Sequence, residues 1–566
     1  MHGARVGASL HRHSTAVSML SILHRSSLVV ALVTASLLPV PVAAVERADA
    51  FTNARPGVHA ISVALALPQA RTSTKSRATS KKKAASSRKT PAKRVVRKKA
   101  APPPLRYTTP RDGAALTSDL KSLLASRTTS GSWGAMVVSL TRGDTLLSTN
   151  ADVQMLPAST MKLFTTGVAL DQLGPTHTFS TDVLRDGALE TDGTVRGNLI
   201  LRGDGDPALS SKFVRGGAEG PVALLAQLAR GAGVRHVTGD IIADASAFEA
   251  RRIPDGWLTR YAGAAYAAPF SALSLNENIV IVGITPSNGR ATIALEPSTH
   301  ALSISNTVRV VGGTAAKLSI SLSGENLVVV SGTIGARAGT KRYQLVVSDP
   351  ALFTAGAFRS ALEAEGITVD GRVIAGRTPP TAALLTSLPS PPLSRLVSTM
   401  NRESINVYAE MLWRGAARGS DRTHLGSTEN ANRTLQEFLT QRVGVTAGAV
   451  TATDGSGLSV LDRVTARSLV QLLSHAHESP WASAFHASLP VAGESELLRR
   501  RMRDTPAQGN LHAKTGTTNE VIGLSGYVTA ENGEIVAFAF LYNGLDRWHA
   551  LETIDAMGPT IASFSR

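Results

Sequence analysis

The chain of 566 residues contains no cysteine. This absence excludes a disulfide framework and a cysteine nucleophile, and it is compatible with an oxidising compartment. Long apolar runs are also scarce, since no segment after the first fifty residues is long and apolar enough to cross a bilayer. Hydrophobic residues make up 43% of the chain and charged residues 18%, so we expect most of it to be globular.

Acidic residues are missing from residues 51–111, which hold 16 Lys and Arg. The whole chain carries a formal net charge of +17, residues 1–50 contribute +2, and the part after residue 111 is nearly neutral at −1. Because the basicity is confined to one segment, we expect no nucleic-acid partner for the folded part. Residues 71–106 have the composition of an unfolded chain. We predict a disordered linker over 51–111 that serves as a spacer or rests on anionic envelope polymers or lipid.

The first fifty residues have the pattern of an export signal. Arg12 precedes an apolar run from Leu28 to Leu38, and two small-x-small cleavage sites, Val42–Ala44 and Ala48–Ala50, follow it. The apolar run is shorter than the ~20 residues that a spanning helix needs. We therefore predict a signal peptide region over 1–50 and an exported, extracytoplasmic protein, with an uncleaved membrane anchor as the alternative.

The two ends of the folded part predict one antiparallel sheet flanked by helices, which is an α+β fold. The middle, residues 183–379, is rich in Gly, Val and Thr and predicts inserted, largely β material between flanking parts 112–182 and 380–566. The predicted strands are Gly134–Leu140, Thr145–Ser148, Leu511–Thr515, Val521–Thr529 and Ile535–Asn543. The predicted helices are Leu116–Leu124, Pro157–Leu173, Leu393–Arg402, Val407–Arg414 and Asp546–Phe564.

A first motif, S-x-x-K, places Ser159 three residues before Lys162. On a helix this spacing puts the hydroxyl and the amine on one face, within reach of each other. A serine is a poor nucleophile until a base takes its proton, and lysine serves as that base only if burial or a nearby cation keeps it partly neutral. The helix that follows is apolar from Leu163 to Leu170 and must be buried, whereas the same spacing at Ser118 and Lys121 fits a solvated helix face.

A second motif, S-x-N, is formed by Ser404 and Asn406 between two predicted helices. A hydroxyl at this place can relay a proton toward a leaving group, and an amide can hold the carbonyl of a substrate. A helix cap is the alternative interpretation of this pattern. Taken alone, the motif therefore does not assign a function.

A third motif, K-T-G, comprises Lys514, Thr515 and Gly516 and is followed by Thr517 at the end of a predicted strand. Lysine and threonine can bind a carboxylate. Glycine lets a substrate backbone approach the strand edge as an added strand. An ordinary strand end is the alternative.

In their order along the chain, the three motifs resemble those of the penicilloyl-serine transferases, the group of penicillin-binding proteins and serine β-lactamases. Other stretches narrow the resemblance to the D-alanyl-D-alanine carboxypeptidase/endopeptidase family, the class C low-molecular-mass penicillin-binding proteins. The resemblance spans about residues 115–565 and accounts for the roughly 240 residues between Lys162 and Ser404, where this family carries two inserted domains. The similar stretches are 198–209, 238–248, 270–276, 401–410, 454–458 and 526–528.

The resemblance implies a β-lactamase/transpeptidase-like domain with a large, mainly β insertion. It also implies a serine-type D-Ala-D-Ala carboxypeptidase or DD-endopeptidase that acts on peptidoglycan peptides through an acyl-enzyme. β-Lactams would be covalent inhibitors, and no cofactor or metal would be needed. A β-lactamase and a non-catalytic cell-envelope scaffold are the alternatives. Penicillin-binding experiments separate them.

Carried over residue by residue, the family pattern implies a role for each motif position. Five residues would be catalytic, acting as nucleophile, base, proton relay and holder of the acyl side, and three would bind the substrate. The carboxylate of the substrate would lie against Lys514 and Thr515, and the oxyanion against the N–H groups of Ser159 and Thr517. The implied catalytic residues are Ser159, Lys162, Ser404, Asn406 and Lys514, and the implied substrate-binding residues are Thr515, Gly516 and Thr517.

Two departures from the family pattern predict an altered pocket. Ile405 stands at the middle of the second motif, where family members commonly have a polar residue, often Asp. The stretch 257–266 has no acid, although some members place one there to pair with the free amine of the substrate. The aromatic residues of that stretch fit a packed loop or a sugar site. Asp204 and Asp206 fit a turn, an acid pair or a metal site, and 454–457 fits a turn or a second nucleophile.

Overall fold

The computed structural model describes residues 105–566. The predicted signal peptide region, 1–50, and the predicted linker up to residue 104 lie outside the described residues. The last predicted linker residues contact the folded part, because Arg111 pairs with Glu531 at 2.6 Å and the backbone N–H of Thr108 donates to Thr560 Oγ1 at 3.1 Å. Within residues 105–566, no helix is long and apolar enough to cross a membrane.

The described chain contains runs of successive strands, such as β9 to β14 over residues 279–346, and a run of successive helices, α5 to α9 over residues 393–487. The α-helices are α1 Gly113–Ser126, α2 Met161–Leu173, α3 Gly220–Gly231, α4 Pro350–Ala364, α5 Leu393–Glu403, α6 Asn406–Arg418, α7 Thr428–Phe438, α8 Ala466–Glu478, α9 Ala482–Ala487 and α10 Arg547–Ala562. The strands are β1 Ser132–Ser139, β2 Thr145–Thr149, β3 Ser180–Arg185, β4 Ala188–Leu189, β5 Thr194–Arg196, β6 Leu199–Gly203, β7 His236–Val237, β8 Ile241–Asp244, β9 Ile279–Ser287, β10 Arg290–Glu296, β11 Ser303–Val311, β12 Ala316–Ser323, β13 Leu327–Gly335, β14 Lys341–Val346, β15 Thr368–Val369, β16 Val373–Ala375, β17 Ala383–Pro389, β18 His512–Thr517, β19 Val521–Thr529 and β20 Ile535–Asn543.

Both chain ends contribute to one antiparallel five-stranded sheet, in the order β18-β19-β20-β1-β2. Successive side chains of β20 alternate between two apolar cores. Phe538 and Phe540 pack on the side of α1 and α10, and Ala539 and Leu541 pack on the side of α2 and α8. A strand buried on both faces needs a continuous apolar run, which explains why the sequence identified it. The predicted α+β fold with an antiparallel sheet flanked by helices is confirmed.

The core on the side of Ala539 and Leu541 surrounds α2. This helix is buried from Met161 to Leu170, nearly three turns. α2 packs against α5, α6, α7 and α8. A helix buried on most of its sides needs packing partners around it, and these four helices provide them. This packing holds the beginning of α2, where the first motif lies, against the edge of the sheet.

The inserted region is mainly β, as expected. Its first part combines the sheets β16-β8-β6-β3-β17 and β15-β7-β5-β4 with α3 and α4 around one apolar core. Its second part, nested within the first, consists of the three-stranded sheets β10-β9-β14 and β11-β13-β12 with a separate core. β3 and β17 pair with each other. β3 begins before residue 183 and β17 lies after residue 379, the predicted limits of the inserted region.

The sequence interpretation missed α3 and α4. Their apolar residues recur with helical spacing, as in Val222, Leu225, Ala226 and Ala229 of α3. These short helices lie within long Gly-, Val- and Thr-rich stretches, so composition favoured strands over the whole region. The local 3.6-residue period was the signal that identifies them.

Candidate functional site

Ser159 lies in a 3₁₀ turn, Ala158–Thr160, immediately before α2. The sequence predicted a helix from Pro157, but Ala158 has a φ of 45°, which is incompatible with a right-handed helix. The hydroxyl of Thr160 closes the turn by donating to the carbonyl of Pro157 at 2.7 Å. The turn sets Ser159 at the amino end of a buried helix, where its side chain is half-buried.

Lys162 is fully buried, and its amine has three hydrogen-bond acceptors. Nζ lies 3.0 Å from Ser159 Oγ, 2.6 Å from Asn406 Oδ1 and 2.7 Å from the carbonyl oxygen of Ser456. The contact with Ser159 is the one that the i, i+3 spacing predicted. Lys162 therefore connects the first motif, the second motif and the turn at Ser456 in one centre.

Burial lowers the pKa of Lys162 to about 8. The negative charges of Asp454, Glu410 and Asp462 oppose this shift, because each favours the ammonium form. A lysine with a pKa of 8 has a neutral fraction of about one tenth at pH 7, far more than an ordinary lysine. The site thus supplies the partly neutral amine that the first motif needs.

Ser404 and Asn406 lie at the junction of α5 and α6. Ser404 ends α5 in the left-handed conformation, with a φ of 57°, and Asn406 is the first residue of α6. The amide of Asn406 is held at both ends, because its Nδ2 donates to the carbonyl of Tyr266 at 2.7 Å. Ile405 packs against two apolar clusters and does not line the cleft, so the departure at this position changes the packing beneath the site.

Lys514 is fully buried on β18, the edge strand of the sheet. Its Nζ donates to Ser404 Oγ at 2.9 Å and to the carbonyl of Thr515 at 3.0 Å. Burial, together with the positive charge of Lys162, lowers the pKa of Lys514 well below its ordinary value. The third motif is thereby joined to the second through one hydroxyl.

Gly516 brings β18 against the turn of Ser159. A Cβ at position 516 would lie 2.7 Å from the carbonyl oxygen of Pro157 and 3.2 Å from Thr160 Cγ2. These distances leave no room for a side chain, so the close approach requires glycine. The nucleophile turn and the strand edge consequently form two walls of one cleft.

The cleft has a volume of about 250 Å³. Four predicted site residues line it, whereas Lys162, Lys514, Thr515 and Gly516 lie behind its surface. The remaining lining residues were not predicted from the sequence to belong to the site, although two of them come from the aromatic stretch 257–266. The lining residues are Ser159, Tyr261, Tyr266, Ser404, Asn406, Gly457, Leu458, Thr517, Thr518 and Asn519.

Asp204 and Asp206 belong to a turn away from this cleft. Asp204 pairs with Arg418 at 3.3 Å and with Arg422 at 3.0 Å. Asp206 is buried and accepts a hydrogen bond from the backbone N–H of Ala208 at 2.7 Å. Asp204 therefore joins the inserted region to the end of α6 and the residues after it, whereas Asp206 stabilises its own turn.

The fold and the joined motifs define a serine enzyme of the β-lactamase/transpeptidase-like class. The chain belongs to the D-Ala-D-Ala carboxypeptidase 3 (S13) family, whose profile matches residues 116–563. The expectation of a serine-type D-Ala-D-Ala carboxypeptidase, a hydrolase, is thereby confirmed.

Two related sequences and one solved structure are consistent with this family membership. The D-alanyl-D-alanine carboxypeptidase of Actinomadura sp. (strain R39) is 35% identical over 76% of this chain and 81% of its own length. The D-alanyl-D-alanine carboxypeptidase DacB of Haemophilus influenzae is 26% identical over 73% of this chain and 85% of its own. The crystal structure of penicillin-binding protein 4 from Haemophilus influenzae superposes with a TM-score of 0.66 at 22% identity, covering 77% of this chain and 98% of that one.

Proposed function

We propose that Ser159 is the nucleophile and Lys162 the base of this carboxypeptidase. The contact between their Oγ and Nζ atoms at 3.0 Å carries the proposal. Asn406 and Ser456 accept the other two hydrogen bonds of the amine, so a neutral Lys162 directs its lone pair at Ser159. Lys162 takes the hydroxyl proton as Ser159 attacks the carbonyl carbon between two D-alanine residues, and an acyl-enzyme forms as the C–N bond breaks.

The leaving amine needs a proton, and Ser404 with Lys514 provides a route to it. Lys514 donates to Ser404 Oγ, and Ser404 lines the cleft. Ser404 gives its proton to the leaving amine and takes a proton from Lys514 in return. Water then attacks the ester carbonyl and returns a proton through Ser404 to Lys514, Ser159 regains its proton from Lys162 as the C–O bond breaks, and the shortened peptide leaves.

The first residues of β18 bond to residues 490–492, and the substrate backbone would lie farther along this edge, beside Gly516. Thr515 and the positive charge of Lys514 would stabilise its terminal carboxylate. The N–H groups of Ser159 and Thr517 would stabilise the oxyanion, for which one donor contributes ~3–4 kcal/mol. Among the described residues, the hydrogen-bond acceptors of the buried Lys514 amine are the uncharged oxygens of Ser404 and Thr515, so a bound carboxylate would supply a counter-charge.

The same acyl-enzyme also serves DD-endopeptidase activity and β-lactam inhibition. A crosslink whose amine is attached to D-alanine presents the same scissile carbonyl. A β-lactam acylates Ser159 in the same way. After ring opening the amine of a β-lactam stays attached to the acyl group and keeps water from the place beside Ser404. Among the described residues that line the cleft there is no carboxylate or imidazole to activate water by another route, so the penicilloyl adduct is expected to be long-lived.

We further propose export through the signal region 1–50 and association of residues 71–106 with anionic envelope polymers or lipid. The support is the composition of these segments. A variant that lacks 71–106 should lose salt-sensitive binding to anionic vesicles or isolated cell wall and retain D-alanine release. Equal binding by both proteins at low salt would contradict this role.

Fluorescent penicillin labelling tests the catalytic proposal. We expect one covalent adduct in the wild-type protein and none in Ser159→Ala, with circular dichroism showing that both are folded. Release of D-alanine from a pentapeptide and cleavage of a crosslinked dimer then measure the two peptidase activities separately. An adduct that persists in Ser159→Ala would overturn the assignment of the nucleophile, and rapid penicillin turnover without peptidase activity would favour a β-lactamase.

A further inference from the structure

The inserted region contacts the catalytic centre at two points, both in the stretch from Trp257 to Tyr266. Trp257 Nε1 donates to a carboxylate oxygen of Asp454 at 2.7 Å. The carbonyl of Tyr266 accepts from Asn406 Nδ2 at 2.7 Å, and Asn406 in turn accepts from Lys162. The two ends of this stretch are thus linked to the Lys162 amine, one through Asp454 and its turn and the other through Asn406.

Asp454 is fully buried at the centre of the first contact. Its carboxylate accepts from the backbone N–H groups of Ser456, Gly457 and Ser459 at 3.0, 2.6 and 2.8 Å. The hydroxyl of Ser456 and the indole of Trp257 complete a shell of donors. This shell sets the turn so that the carbonyl of Ser456 accepts from the Lys162 amine at 2.7 Å.

We propose that Trp257 and Asp454 are positioning residues for Lys162. Asp454 holds the turn that supplies one of the three acceptors of the amine, and Trp257 anchors Asp454 from the inserted region. The inserted region is then a structural part of the catalytic centre as well as a lining of the cleft. This inference rests on the proposed role of Lys162 as base.

The charges around Lys162 distinguish Asp454 from its neighbours. Within the described part of the chain, the charged groups that act on Lys162 or face it are Asp454, Glu410, Asp462 and Lys514. Burial and the nearby Asp454 raise the pKa of Asp462 well above its ordinary value. Burial also raises the pKa of Glu410 to about 7. Of these carboxylates, Asp454 acts most strongly on the pKa of Lys162, which its charge raises.

Two substitutions test the inference through different readouts. Asp454→Asn keeps the shape but turns an amide N–H₂ toward donors and removes a charge that stabilises the ammonium of Lys162. Trp257→Phe removes one donor and keeps the aromatic bulk. The matched controls are Asp206→Asn, which alters a buried carboxyl away from the cleft, and Trp548→Phe, which alters a half-exposed indole on α10.

The measurement is the second-order rate of acylation by benzylpenicillin from pH 5 to 10, with thermal melting for each variant. We expect Asp454→Asn to lower the rate ~10–100-fold and to move its acid limb about one unit toward lower pH. Trp257→Phe should lower the rate ~10-fold without moving the acid limb. The contact of Tyr266 is made by its backbone carbonyl, so no side-chain substitution of Tyr266 is included. Both controls should match the wild type.

Several results would overturn the inference. A wild-type acylation rate and an unshifted acid limb in Asp454→Asn would show that Asp454 does not position Lys162. Equal losses of rate in the control variants would show that the effect is general destabilisation. If Asp454→Asn does not fold, a wild-type rate in Trp257→Phe is sufficient to reject the anchor. A wild-type protein that penicillin does not acylate would instead overturn the proposed function, and this inference with it.

Discussion

Gly457 packs directly against the carbonyl of Ala158, the residue before Ser159. Gly457 has a φ of 80° and Ala158 a φ of 45°, so both positions lie in the left-handed region. A Cβ at position 457 would overlap the oxygen of Ala158 and come within 2.9 Å of Met161 Cβ. The turn around Asp454 therefore supports the turn that carries Ser159, and the two change position together.

Gly457→Ala is expected to reduce penicillin acylation at least ~100-fold, because the backbone of one turn must move. Gly448→Ala is the matched control. Gly448 has a φ of 83°, but nothing lies within 4 Å of its Cβ position. It should lose only about 1 kcal/mol of unfolding free energy and retain the wild-type acylation rate. Equal acylation rates in the two variants would contradict the support by Gly457.

Ser404 allows the role of a hydroxyl to be separated from the strain of its backbone. Ser404→Ala and Ser404→Gly both remove the acceptor of Lys514, so both should lower kcat/KM for D-alanine release ~100-fold. Glycine tolerates the φ of 57° without a Cβ penalty, and the glycine variant should be about 1 kcal/mol more stable than the alanine variant. Chemical denaturation measures this difference. Activity that followed stability across the two variants would argue against a proton relay.

Local patterns predicted the parts of the fold and site that depend on neighbouring residues. β19 and β20 have the predicted bounds because each is an apolar run that ends at a turn. The approach of Lys162 to Ser159 follows from three-residue spacing on a helical path. The order of the three motifs predicted that they meet, although the pairing of Lys514 with Ser404 spans 110 residues.

Contacts without local periodicity were not predicted. The carbonyl of Ser456 reaches Lys162 across 294 positions, and a backbone carbonyl has no side-chain signature in a sequence. Trp257 was assigned to a packed loop or a sugar site, since its indole alone does not indicate which carboxylate it meets. Gly457 and Gly516 pack against the turn that contains Ala158, and such contacts between distant segments have no local pattern, so the sequence predicted a regular helix from Pro157 where Ala158 has a φ of 45°.

The acylation rate should rise with pH and reach half of its maximum near pH 8. A neutral Lys162 is the active form, and burial lowers its pKa to about 8, so deprotonation is completed above that value. Stopped-flow measurement with a chromogenic cephalosporin gives the profile. Lys162→Arg should lose at least ~1000-fold and show no acid limb, because a guanidinium stays charged. Lys121→Arg, on the exposed side of α1, is the control, and a flat wild-type profile would contradict Lys162 as base.

Arg414 and Glu410 form a buried ion pair behind the site, with both side chains fully buried and 2.9 Å between Nη1 and Oε2. Arg414→Met leaves Glu410 without this partner and should cost about 3–5 kcal/mol of unfolding free energy. The exposed pair of Arg467 and Asp152, at 2.6 Å, is the matched case, and Arg467→Met should cost less than ~1 kcal/mol.

The pH dependence of stability gives a second test of this pair. Burial raises the pKa of Glu410 from 4.5 to about 7, so between these values the folded state holds a proton that the unfolded state has lost. The stability that protonation of Glu410 contributes to the folded state is therefore fully present below pH 4.5 and is lost as pH rises through 7. Arg414 opposes this shift, so Arg414→Met should raise the pKa further and extend the loss to higher pH. Denaturation curves from pH 4 to 9 measure the slope, and parallel profiles for wild type and variant would show that Arg414 does not act on Glu410.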